Sequence, residues 1–270
     1  MIEKKCTAEN LAVEILKKPK YKHINTDFIA RIAKQELSKR NTCKEALKAS
    51  TSKLHQVGSS YMSNQMKYAV WQTRLKELPH DLRSTSVKDF CRQVMNAHSS
   101  SKERMPILET FFQKTLENIS PIHSILDLGC GLNTLALSWM PVVDDIEYCG
   151  IDIFQDMVDF LNAFLKHMHI KGKMQCKDVL AERKSESVQL VLALKMLPIL
   201  DQIEKGNTVK WLEKIPSNNL LVSYPICSLG GKSKGMRQNY SNQFDKITKG
   251  KGWNISRFDF PTELAFLIQR

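Results

Sequence analysis

Ile125-Leu126-Asp127-Leu128-Gly129-Cys130-Gly131 is the stretch that decides the fold. An apolar run suited to a buried strand ends in two glycines and opens a helix at Asn133 or Thr134, expected to run through Trp139. Glycine lets a backbone approach a ligand closely, and a helix N-terminus adds a positive dipole end. A dinucleotide fingerprint needs G-x-G-x-x-G, but the third position here is Thr134, so the turn suits pyrophosphate poorly.

Toward the C-terminus, short apolar runs alternate with helical segments. Strands are predicted at Ile122–Leu128, Glu147–Ile151, Lys173–Cys176, Val188–Leu194, Leu220–Tyr224, Asn254–Phe258 and Glu263–Ile268. Helices fall at about 156–168, 201–213 and 234–247. This alternation implies a parallel α/β sheet. The last two strands are close enough to form a hairpin, which puts one antiparallel strand at the sheet edge.

Toward the N-terminus the pattern is helical throughout. Thr7 can cap a helix carrying Leu11, Val13, Ile15 and Leu16, and Thr26 or Asp27 opens another with Phe28, Ile29, Ile32, Ala33 and Leu37. Segments 43–57, 61–77, 86–97 and about 102–118 read as further helices. The expected division is a basic all-helical part over 1–104 and an α/β domain over 105–270. Charge divides the same way. Residues 1–104 hold 21 Lys and Arg against 10 Asp and Glu, whereas 105–270 hold 19 against 18. A basic part joined to a neutral one suggests a polyanion-binding module, with a merely solvated surface as the plain alternative. Lys34, Lys44, Lys48 and Lys67 represent the basic face, with Lys232 and Lys234 in a glycine-rich stretch later on.

Composition excludes other classes. With 42% hydrophobic and 25% charged residues, the chain reads as folded and soluble. The seven cysteines are dispersed and never spaced C-x-x-C, so neither a disulfide framework nor a metal site is expected. No signal peptide or membrane span is evident, and a monomer in the cytoplasm is expected.

Two carboxylates complete the turn. Asp152 follows the second strand, 21 residues after Gly131, where an acidic side chain suits ribose hydroxyls; the alternative is a helix N-cap. Asp178 follows the third strand, where it can read an adenine amino group or close an Asx turn.

The turn resembles the D/E-x-G-x-G loop of class I methyltransferases, which holds the methionine end of S-adenosylmethionine. The wider sequence resembles the aminoglycoside-resistance 16S rRNA (guanine-N7) methyltransferases that act at guanine 1405. Six signposts in order carry that resemblance over nearly the whole chain: Lys53-Leu-His-Gln with Gly58-Ser-Ser-Tyr61, His98-Ser-Ser-Ser-Lys-Glu-Arg104, Leu126-Asp-Leu-Gly-Cys-Gly-Leu-Asn133, Leu194-Lys-Met-Leu-Pro198, Ser223-Tyr-Pro with Ser228-Leu-Gly-Gly-Lys-Ser-Lys-Gly-Met236, and Thr262-Glu-Leu264. It departs from the family pattern at Thr134, where proline is common, and in a longer stretch from Tyr61 to His98.

The resemblance implies a Rossmann-like α/β methyltransferase sheet with an antiparallel edge strand, preceded by a helical RNA-docking domain. It implies that Tyr61, His98, Ser99, Ser100 and Arg104 surround the methionine end of the cofactor, with Arg104 on its carboxylate. Gly129, Asp152, Lys177, Asp178 and Leu194 complete that pocket. Asp178, Lys195 and Met196 are expected near the target base, none as a general base, with Lys195 turned toward backbone phosphate. The implied substrate is 16S rRNA in the 30S subunit, and the implied consequence is resistance to 4,6-disubstituted aminoglycosides.

The chemistry of the residues agrees. The stretch after the fourth strand lacks an [DN]-P-P-[YFW] tetrapeptide for adenine amino methylation, and no cysteine follows a proline as carbon-5 pyrimidine methylation needs. Guanine N7 attacks through an in-plane lone pair and loses no proton, so positioning and a field tolerant of positive charge suffice. Three alternatives stay open from the residues alone: an adenine-N1 methyltransferase of the same RNA region, a methyltransferase for a protein or small molecule, and a non-enzymatic RNA-binding protein on the same fold.

Overall fold

The apolar run before the glycines forms strand β1, Ile122–Leu128, as the sequence predicts. In the computed structural model, which describes residues 6–62, 66–181, 187–226 and 235–270 (of 59–62 the backbone only), it lies inside a seven-stranded sheet. The other strands are β2 Val142–Asp152, β3 Met174–Cys176, β4 Leu190–Leu194, β5 Asn219–Pro225, β6 Asn254–Asp259 and β7 Glu263–Gln269. Their order is β3-β2-β1-β4-β5-β7-β6. The first five run parallel, and β7 is antiparallel to both β5 and β6. The predicted hairpin forms, but its antiparallel strand is one place in from the edge. The outermost strand is β6, whose Arg257 and Asp259 pair at 2.8 Å and charge an otherwise open edge.

Strand alternation supplies two faces. Ile125, Leu192, Leu221 and Leu267 point into one apolar layer, and Leu126, Val191, Leu220 and Phe266 into the other. The second layer is covered by α9 Met196–Ile203, α10 Thr208–Glu213 and α11 Met236–Thr248. The first is covered by α7 Leu108–Leu116, α8 Gln155–His167 and the N-terminal helices. Those are α1 Ala8–Leu16, α2 Thr26–Leu37, α3 Cys43–Met62, α4 Tyr68–Leu75, α5 Thr85–Asn96 and α6 Ser99–Arg104. Ile15, Phe28, Ile32, Trp71 and Phe90 belong to the same buried cluster as Phe160 and Leu161 of α8, so apolar packing runs through residue 104 without a break. The backbone is stitched there too: Asn25 N–H donates to Ile153 O at 2.7 Å, and Gln155 N–H to His23 O at 2.8 Å.

Several expected helices differ in extent. The segment expected at 102–118 is two helices with a 3-10 turn, Met105–Ile107, holding Pro106 between them. The helix expected at 201–213 begins at Met196, since Pro198 sits in the first turn, where a missing N–H costs nothing, and it breaks into α9 and α10 at the left-handed Gly206 (φ +82°). Helix α2 opens at Thr26 as expected, with Asn25 before it as the cap, its side chain accepting from Phe28 N–H at 2.9 Å. The expectation of no disulfide is corrected at one place. Cys6 and Cys43 are bonded, with Cα atoms 5.9 Å apart, because α1 packs alongside α3 and brings together residues 37 apart in sequence.

Candidate cofactor and acceptor site

The strand order reverses between β1 and β4, and a cleft opens beyond the carboxyl ends of β1–β4. Open α/β sheets hold ligands at such a switch point. Gly129, Asp152, Asp178, Val179, Leu194, Lys195 and Met196 line the cleft from the sheet side, with Ser100 from α6. Phe28 of α2 and Val57 of α3 supply a further wall. Thus the basic helices help to build the pocket, which the charge division alone does not reveal.

The glycines are required by conformation. Gly129 has φ +66° and Gly131 φ +52°, the left-handed region that costs a side chain about 1–2 kcal/mol. A Cβ on Gly129 would also lie 2.1 Å from Met196 Sδ. The amides of Gly129 and Cys130 donate to Ile151 O at 2.9 and 3.1 Å, and that of Gly131 to Asp152 Oδ2 at 2.9 Å. The following segment, Asn133–Trp139, is a wholly buried 3-10 helix.

Asp152 is 6% exposed, and its other oxygen accepts from Ile153 N–H at 2.7 Å. Burial raises its pKa to about 6, against the pull of those amides. Phe154, not Asp152, occupies the N-cap of α8, so the helix-cap alternative fails. Asp178 is 5% exposed. Its Oδ1 accepts from Leu180 N–H at 2.9 Å, closing the turn, and its Oδ2 accepts from Arg31 Nε. Lys177 is exposed, and only its amide reaches the site, donating to Asp152 O at 2.9 Å.

His98 is buried and caps α6 through Nδ1, which accepts from Ser101 N–H at 3.4 Å. Burial, with Lys195 nearby, pushes its pKa down to about 3, so the imidazole is neutral at pH 7. Ser99 and Ser100 form the first turn of α6, and Ser100 reaches the cleft. The Tyr61 side chain, Lys232 and Lys234 lie outside the described residues. Lys34, Lys44, Lys48 and Lys67 are all exposed, on α2, on α3 and at the start of α4.

Arg104 is buried against Phe111, and its side-on fork is taken. Nε and Nη2 bind Glu263 Oε1 and Oε2 at 2.8 and 2.9 Å, and Nη1 donates to Asn133 Oδ1 at 3.1 Å. Two N–H protons, one on each terminal nitrogen, are left over for a ligand. Lys195, expected to turn toward backbone phosphate, has its partners within the protein. It adopts φ +59° and is 8% exposed. Its Nζ donates to Ser100 O at 2.8 Å and Glu103 Oε2 at 2.7 Å, and lies 3.4 Å from Glu263 Oε1. These part-buried acceptors hold the ammonium inside the site. Burial raises the Glu263 carboxyl, but Arg104 and Lys195 outweigh it and hold the group below its ordinary value.

Sequence reasoning missed the partners. Asp127, inside the decisive motif, is buried and accepts from Tyr148 Oη at 2.5 Å and Asn133 Nδ2 at 2.8 Å; burial raises it to about 6. Glu263 stands inside the quoted Thr262-Glu-Leu264, but nothing there names Arg104 as its mate. Arg31 carried no signal beyond charge.

The 16S rRNA (guanine(1405)-N(7))-methyltransferase of Micromonospora echinospora is 29% identical over 258 residues, 95% of this chain and 94% of that protein. The solved structure of the 16S rRNA methylase RmtB matches with a TM-score of 0.81 at 22% identity, over 99% of this chain and 100% of that one. The 16S rRNA methyltransferase RmtF, in complex with S-adenosyl-L-homocysteine, matches with a TM-score of 0.80 at 23% identity, over 100% and 99%. The family model for ribosomal RNA methyltransferase (FmrO) matches residues 17–267, and the chain belongs to that family.

Proposed function

We propose that this protein transfers a methyl group from S-adenosylmethionine to N7 of guanine 1405 of 16S rRNA within the assembled 30S subunit. The observation that carries the reading is the cleft itself: a glycine turn at whose Gly129 a Cβ would displace Met196, with Asp152 and Asp178 at successive strand ends. The relatives named for this reaction span nearly the whole chain. These residues fit the cofactor. Asp152 accepts from ribose hydroxyls, Asp178 from the adenine amino group, and the outer edge of Arg104 meets the carboxylate, with Tyr61, His98, Ser99 and Ser100 near it. Lys177 and Leu194 complete the pocket. When bound, the cofactor supplies an electrophilic methyl on a sulfonium.

The protein's task is positioning. Guanine N7 needs no base, and the neutral buried His98 is suited to packing, not proton transfer. In A-form RNA the N7 edge faces a deep groove that side chains enter poorly, so the guanine must be displaced into the cleft, next to Lys195 and Met196. Residues 1–104 dock the RNA through Lys34, Lys44, Lys48 and Lys67, and Lys232 and Lys234 reach the substrate from after β5. The protein acts as a cytoplasmic monomer and confers resistance to 4,6-disubstituted aminoglycosides.

The test is primer extension and mass mapping of 16S rRNA from bacteria expressing the chain. A single N7-methylguanine at position 1405, with gentamicin resistance and apramycin sensitivity, is expected. N1-methyladenine with apramycin resistance overturns the guanine assignment, and efficient methylation of a naked hairpin overturns the subunit requirement.

A further inference from the structure

Arg31 stands on α2, in the basic helical part, yet its guanidinium crosses to the mouth of the cleft. Nε donates to Asp178 Oδ2, and Nη1 donates to Glu204 Oε1 at 3.2 Å, just past the end of α9. Gln35, one turn further along α2, donates to the same Glu204 oxygen at 3.3 Å. Lys53 of α3 bonds Gln35 Oε1 at 3.0 Å and the Ile203 carbonyl at 2.9 Å. The guanidinium lies 5.4 Å from the ring centre of Phe28, and both Phe28 and Ile203 are walls of the cleft. The third nitrogen, Nη2, is buried and has no hydrogen-bond partner among the described residues.

A carboxylate offers about four acceptor directions and turns freely unless held. Asp178 is held at both oxygens, by Leu180 N–H and by Arg31 Nε. Only one of the two bonds comes from its own loop. Its remaining lone pairs therefore face fixed directions, and Arg31 sets one of them from 147 residues away. A fixed acceptor beside a donor without a partner complements an adenine edge, which shows an amino donor next to a ring-nitrogen acceptor. A 6-oxopurine puts a carbonyl oxygen where adenine has its amino group, so two acceptors would meet.

We propose that Arg31 is a positioning residue for nucleobase recognition: it fixes Asp178 so that the cleft takes an adenine nucleoside and rejects the hypoxanthine one. The inference rests on the cofactor reading above. It also makes the RNA-docking helix α2 part of the machinery that selects the cofactor, since Lys34 stands one turn from Arg31.

Isothermal titration calorimetry of the full chain with S-adenosylhomocysteine and with S-inosylhomocysteine tests it, on the wild type, Arg31→Gln, Arg31→Lys and Glu204→Gln. The wild type is expected to prefer the adenine ligand by about 100-fold, since a buried polar site rejects a ligand that leaves its groups unpaired. Arg31→Gln should bind S-adenosylhomocysteine about 10-fold more weakly, the scale of one charge-assisted bond, with the preference collapsing toward parity. Arg31→Lys keeps the charge without the planar fork and should fall between. Glu204→Gln, which leaves the Asp178 pair intact, should keep the preference. An unchanged preference in Arg31→Gln would reduce Arg31 to a strut between helix and sheet and overturn the inference. If Arg31→Gln does not fold, Arg31→Lys decides, and an unchanged preference there overturns it equally. A wild type that binds neither ligand brings down the cofactor reading itself, and this inference with it.

Discussion

Replacing Glu263 with glutamine should cost the fold about 3 kcal/mol, the lower end of what removing one partner of a buried ion pair costs. The structure sets that end of the range. Glu263 is fully buried and faces two cations, Arg104 and Lys195, each about 8% exposed in its side chain. Glutamine keeps one acceptor for Arg104 but turns its amide protons toward a second N–H, so half of the fork is lost. Lys195 keeps Glu103, which limits the damage to one uncompensated guanidinium. The pH dependence has a definite sign. Because the folded Glu263 pKa lies below its ordinary value, its contribution is complete above the unfolded carboxylate value, about 4.3, and is lost as pH falls through the lower folded one. Urea denaturation followed by tryptophan fluorescence measures both features, in wild type and Glu263→Gln, at pH 7 and in steps below pH 5. The gap should be full at pH 7 and narrow only below about pH 4.3. A gap under about 1 kcal/mol at pH 7, no more than a surface pair gives, would refute the buried-pair reasoning. So would a gap that stays constant to pH 3.5.

Two other expectations follow from the same site. Asp152 titrates near pH 6 because burial disfavours its charge, and in the proposed ribose contact only the ionised form would accept from both hydroxyls. Affinity for S-adenosylhomocysteine should therefore fall as pH drops from 7.5 to 5, with a midpoint near 6, and Asp152→Asn should weaken binding and flatten the profile; a wild-type affinity constant over that range would remove Asp152 from the ribose. Changing the exposed Lys34, Lys44, Lys48 and Lys67 together to glutamate should weaken 30S binding and reduce its salt dependence, with cofactor affinity nearly unaltered. Equal loss of both affinities would mean misfolding, and a wild-type binding constant insensitive to salt would refute electrostatic docking.

What was legible in the sequence was local. Strand β1 ends where predicted because an apolar run met glycines, and Thr7 caps α1 by its hydroxyl at 3.2 Å from Asn10 N, as its type and place suggest. Asp152 was legible because strand ends and glycine turns recur at fixed spacing. What was not legible was long-range pairing. Arg104 was expected on a ligand carboxylate, and its type gave no hint that Glu263, 159 residues away, takes its fork. The Arg31–Asp178 pair and the Cys6–Cys43 bond are of the same kind: each depends on how helices dock, which no residue spacing encodes. Helix α9 was placed late, at 201, because its first turn holds Pro198, a residue that stands at a helix start as readily as outside one.

The long-range pairs also resolve a difficulty in the proposed chemistry. A guanine methylated at N7 becomes cationic, and a bare lysine at the end of β4 would oppose that change. Lys195 is not bare. It shares Glu263 with Arg104 and holds Glu103 for itself, so the cluster contains two cations and two carboxylates. An acceptor base placed beside this cluster meets no net charge, and the same bonds keep the ammonium tied back to Ser100 O, at the first turn of α6. Enzymes gain most from dipoles and charges already oriented where charge develops. Here the orientation favours neutrality: Arg104 and Lys195 are each countered by a carboxylate, so in the proposed chemistry the growing positive charge on the base would not be repelled by them. In that proposed chemistry the second carboxylate, Glu103, would serve the charge balance at the base as well as compensating the buried Lys195.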